Sequence, residues 1–107
     1  MTLRPPQGNA RPAPVAALDY EIAQEQAAAL GRLGRALEAA LGALADHQAD
    51  QGGRDATRAR LVQAASDALW CFIVQREVCG LRDPRPVLRE YRVPAEVYAR
   101  MGAWTPR

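Results

Sequence analysis

Few residues of this 107-residue chain have the type and spacing to do chemistry. Glu21 and Glu25 stand four apart, on one face of any helix that holds them. Such a pair could serve as general acid and base, or as half of a dimetal carboxylate site, but the Glu-x-x-His elements that helical bundles use for this are missing. His47 is the single histidine. It has no Cys, His or carboxylate companions at metal-site spacing and reads as a surface side chain. Cys71 and Cys79, eight residues apart on one helix, would stand roughly 12 Å from each other, too far to bridge, and read as packing residues. No phosphate-cradling glycine loop and no nucleophile elbow occurs. Catalysis is therefore not expected, and no catalytic, metal-ligating or cofactor-binding residue is assigned.

The remaining chemistry is that of arginine. All fourteen basic residues are Arg, against twelve carboxylates, a net charge of +2 that implies neither a nucleic-acid nor a membrane partner. Residues 87–101, VLREYRVPAEVYARM, nevertheless have the outline of a short helix-turn-helix in which Arg85, Arg89, Arg92 and Arg100 could contact phosphates. Three features weigh against it. The first helix is short, Arg92 occupies the place where the turn would take Gly, and Glu96 would face the nucleic acid.

The elements that must position these residues are organised around residues 61–81, LVQAASDALWCFIVQREVCGL, the most apolar stretch. Leu61, Val62, Ala65, Leu69, Phe72, Ile73 and Cys79 share one helical face. Trp70, Cys71, Val74 and Val78 lie opposite, so the segment needs cover on both sides, and residues 68–74 are too few to cross a bilayer. Residues 1–16, with four prolines, read as a flexible tail. Residues 17–107 form one helical domain. Helices are expected over about 18–49, opened by Asp19 as N-cap, 56–79, opened by Asp55 and closed by Gly80, 84–92 and 94–101, the last stopped by Gly102. A polar Gly52-Gly53 turn folds the first two into an antiparallel hairpin.

In the first helix Leu30, Leu33, Leu37, Leu41 and Leu44 make one stripe, and Ala27, Gly31, Gly34, Gly42 and Ala45 a second, small-residue stripe that invites another backbone to approach. The segment 18–50 holds six carboxylates and two arginines, the rest of the chain being slightly basic. Arg76 falls on the apolar face and needs a partner, for which Glu25 or Glu21 stands at about the right level in the hairpin. The two short helices are expected to fold back across the open end and cover Trp70, Val74 and Val78.

ALDYE at 17–21, QREVCGLRD at 75–83 and EYRVPAEVYARMG at 90–102 resemble a family of short all-helical bacterial proteins known only as a domain of unknown function. The resemblance implies a helical, cytoplasmic protein and brings no activity with it. Without a signal-peptide core at the N-terminus the cytoplasm is the expected location. The fold expected is all-α, a long antiparallel hairpin with two short C-terminal helices, completed as a dimeric four-helix bundle. The function expected is non-catalytic protein–protein interaction by a homodimer, with Gly31, Leu33, Gly34, Leu37, Leu69, Trp70 and Phe72 in its core or interface and Glu25–Arg76 as a buried ion pair. The alternative is a nucleic-acid-binding accessory protein.

Overall fold

Alanine and leucine dominate residues 15–49, and the chain answers with a single unbroken helix. The computed structural model describes residues 13–50 and 55–103, and every regular element among them is a helix. The first, α1 (Ala13–Asp50), begins five residues before Leu18. Pro14 sits in its first turn, where a missing N–H costs nothing, and Val15-Ala16-Ala17 extend it. Asp19 is thus inside the helix and not its cap, and the last four residues of the expected tail are helical; residues 1–12 lie outside the described residues, as do Gly52, Gly53 and Trp104.

α2 (Ala56–Val78) starts and stops where side-chain chemistry says it should. Asp55 takes extended backbone angles and its carboxylate accepts the Arg58 amide at 2.8 Å. At the other end Gly80 adopts φ +89°, the Leu81 amide donates to the Arg76 carbonyl at 2.8 Å and the Gly80 amide to Glu77 at 2.9 Å. That is the paired bonding of a left-handed helix terminus. α1 and α2 pack antiparallel: His47 Nε2 lies 3.4 Å from Asp55 Oδ1 at the closed end, and Gly34 faces the Phe72 ring midway.

The same device turns the chain a second time. α3 (Arg85–Glu90) is followed by Arg92 at φ +51°, with the Val93 amide on the Leu88 carbonyl at 3.0 Å and the Arg92 amide on Arg89 at 3.3 Å. α4 (Ala95–Ala103) runs through Gly102, which does not stop it, and packs on α2. Ser66 donates its buried hydroxyl to the Val97 carbonyl at 2.9 Å, and Arg100 Nε donates to Gln63 at 2.7 Å. The arm therefore runs back towards the closed end of the hairpin. It does not cross the open end. Its direction is set by the Gly80 turn and by Tyr91, whose ring meets Phe72 edge-on at 5.5 Å.

The core so formed comprises Leu37 and Leu44 of α1, Val62, Ala65, Leu69, Phe72 and Ile73 of α2, and Val87 and Val97 of the arm. With Gly34 level with Phe72, Val78 comes level with about residue 28 of α1. Residues 13–27 therefore project about 22 Å beyond the end of α2 at 1.5 Å per residue.

Candidate interaction surface

Most of the residues expected at a core or interface are consumed by the core of one chain. Leu37, Leu69, Phe72 and Gly34 are buried, Gly31 and Leu33 half-buried. The glycines divide. A Cβ on Gly34 would lie 2.9 Å from the Tyr91 hydroxyl oxygen and 3.3 Å from Phe72 Cε1, so what approaches this glycine is two rings of the same chain and not another backbone. Gly42 has nothing within 4 Å, and Gly31 meets only the Arg35 guanidinium at 3.4 Å. Trp70 is the exception: it stays 39% exposed, with Val74 at 39% and Val78 at 57%; the described part of the arm packs on α2 at Arg58, Gln63 and Ser66 and does not bury this row as expected.

Glu25 and Arg76 do not pair. Arg76 lies level with about residue 30, one and a half turns from Glu25, whose carboxylate instead meets Arg32 at 3.5 Å on the exposed face. Arg76 Nη2 donates to the Asp83 carbonyl at 3.0 Å and so ties the chain after Gly80 to the end of α2. The ion pair that reaches into the core is a different one, buried on its arginine side. Arg58, 9% exposed, meets the Glu96 carboxylate with both terminal guanidinium nitrogens, Nη1 donating to Oε1 at 2.9 Å and Nη2 to Oε2. The Glu96 hydrogen bonds raise the Arg58 pKa against the cost of burial, which lowers it. A signal for it was available, since Arg58 precedes Val62, Ala65 and Leu69 at steps of four, three and four on the apolar face, where a charge must find a partner.

At the closed end the Asp55 carboxyl is held below its ordinary range, first by the Arg58 amide and then, against desolvation, by His47. His47 is no surface residue: its side chain is 12% exposed and turned to Asp55. At the α2–α3 corner the Arg85 guanidinium and amide lower Asp83 to about 2. Its carboxylate receives Arg85 Nε at 3.0 Å and Nη2 at 3.0 Å. Of the four arginines considered for phosphate contact, Arg85 is thus engaged by Asp83 and Arg100 by Gln63, while Arg89 and Arg92 are exposed. Glu96, which was to oppose nucleic acid, is turned inward to Arg58.

The described residues include no group of three or more His, Cys, Asp or Glu placed to hold a metal ion. Neither cysteine is in a disulfide; Cys71 is exposed and not packed, and Cys79 is half-buried. None of the described helices is long and apolar enough to cross a membrane. A groove of about 630 Å³ opens between α1 and the Tyr91–Pro94 turn, floored by Leu41, Leu44 and Ala45 and rimmed by Glu38, Glu90 and Arg92.

The largest departure from an ordinary surface is apolar. Of nine large hydrophobic side chains exposed among the described residues, eight fall in two stretches, Val15, Leu18, Tyr20 and Ile22 of α1 and Trp70, Val74, Val78 and Leu81 at the end of α2. Val15, Leu18 and Ile22 continue the stripe that, through Gln26 and Ala29, leads to Leu33 and Leu37. They lie bare because α2 ends before it reaches them. Trp70, Val74 and Val78 step by four along the outer side of α2, and Leu81 follows the Gly80 turn at its end.

A model of a family of unknown function (DUF6665) matches residues 5–107. No curated protein and no solved structure is similar enough to the chain to be matched.

Proposed function

We propose, starting from a chain that belongs to this family of unknown function and inherits no activity from it, that the protein is a non-catalytic helical interaction or scaffold protein that self-associates. Two hairpins would complete one another as a dimeric four-helix bundle. The observation that carries this reading is the pair of exposed apolar stretches, eight of the nine large hydrophobic side chains exposed among the described residues, on residues 15–22 and 70–81. Exposed large apolar side chains clustered in this way point to an interaction site. The proposed setting is the cytoplasm of a bacterium, where Cys71 and Cys79, unbridged here, would stay reduced.

Static and dynamic light scattering under reducing conditions, over a hundredfold dilution, tests the reading. A mass of two chains that falls to one on dilution is the expected result, and one chain at every concentration would overturn self-association. Metal analysis of the purified protein tests the non-catalytic half: copurification of a metal at one ion per chain would overturn it.

A further inference from the structure

We infer that the occupant of the outer face of α2 is the projecting N-terminal part of α1 from a second copy, and that the seat is reciprocal. This rests on the self-association proposed above and names the surfaces that perform it. Three properties of the two stretches meet.

The first is shape. Residues 13–27 are a single helix beyond the reach of their own α2, with Val15, Leu18 and Ile22 on one side over about 10 Å; Trp70, Val74 and Val78 offer about 12 Å of apolar stripe at helical spacing. A ridge on one helix thus faces a row of comparable length on another.

The second is charge. Residues 13–28 carry Asp19, Glu21 and Glu25 and no basic residue, while residues 70–89 carry Arg76, Arg82, Arg85 and Arg89 against Glu77 and Asp83. Arg82 and Arg89 are exposed, and Arg89, in α3, adds to the charge that lowers the Asp83 pKa at the α2–α3 corner. Two projecting ends would repel one another, and so would two corners. End on corner is the attractive combination.

The third is symmetry. Because one chain carries both the acidic end and the basic corner, a two-fold axis makes both contacts at once, and each supports the other. A single seat of one short helix is small against the roughly 800 Å² per partner of a stable interface, so the doubling is what makes the dimer hold.

The experiment uses two full-length variants. The first carries Glu21→Arg and Glu25→Arg, the second Arg82→Glu and Arg89→Glu; circular dichroism checks that each is folded. Sedimentation equilibrium at low salt is expected to show wild type dimeric, each variant alone weakened about tenfold or more, and a one-to-one mixture restored, since only the mixed pair sets unlike charges in both seats. Val74→Glu and Ile22→Glu are expected to abolish the dimer, while Tyr98→Glu, at the exposed apolar side chain outside the two stretches, leaves it intact.

A wild type that is monomeric throughout would overturn self-association and this interface together. A dimeric wild type whose Arg82→Glu, Arg89→Glu variant dimerises unchanged, or whose two charge variants fail to restore each other, would overturn the interface alone and leave self-association standing. Pairing of one projecting end with the other gives the first of those results, because the second variant keeps its acidic ends.

Discussion

Arg92 is a non-glycine residue held at φ +51° by two backbone hydrogen bonds and by Val93 and Leu88 packing on either side of it. Left-handed backbone costs an L-residue about 1 kcal/mol or more, so Arg92→Gly is expected to raise stability by about 1 kcal/mol in urea titrations. Gly80 is the mirror case: at φ +89° with no atom near a new Cβ, Gly80→Ala should lower stability by about 1 kcal/mol through the backbone alone. At the same corner Asp83 titrates at about 2 when folded, against 3.8 for the free side chain. A depressed folded pKa contributes stability that is fully present above about pH 4 and lost as the pH falls towards 2. The melting temperature of wild type should therefore fall more steeply between pH 4 and 2 than that of Asp83→Asn. The difference should shrink in high salt, the pair with Arg85 being exposed.

At the scale of the helix, the glycines of α1 make opposite predictions. Gly42→Ala adds a methyl group to open space and gains helix propensity, about 1 kcal/mol of stabilisation by thermal or chemical melting. Gly34→Ala gains the same propensity but drives a carbon to 2.9 Å from the Tyr91 hydroxyl and 3.3 Å from Phe72, and should lose stability on balance. Sequence alone set all three glycines on one face and could not separate them, because the Tyr91 ring comes from 57 residues away. Much else of the fold was legible. The caps at Asp55 and Gly80, the bounds of α2 and the leucine stripe follow from local chemistry, and each is found. The start of α1 was not legible, since a proline-rich composition hides that Pro14 is harmless in a first turn. Nor was the course of the arm: it depends on two tight turns in series, and a small error in either reverses its direction. The Glu25–Arg76 pairing failed for a related reason, a shift in level of about five residues that only the packed Gly34–Phe72 contact fixes, whereas Arg58 could have been found by the very argument applied to Arg76.

Over the whole molecule these local features produce a gradient. α1 is one helix in geometry and two in energetics: from Leu30 onward it packs on α2, with Leu37 and Leu44 at 0% and 1% exposure, while among residues 14–25 every side chain is exposed. A helical end of about 15 residues without packing is marginal in water, so its persistence requires a neighbour. Amide hydrogen exchange followed by mass spectrometry separates the two halves. In dilute solution amides of residues 31–46 should exchange only through global unfolding, and those of residues 17–28 faster by orders of magnitude. Raising the concentration through the dimer range should slow the second group and leave the first unchanged, with matching protection along residues 70–81. Protection of residues 17–28 that does not depend on concentration would show that the end is held by its own chain. The bare apolar row on α1 would then be covered without a second copy, and the outer face of α2 would have to be explained by a different protein.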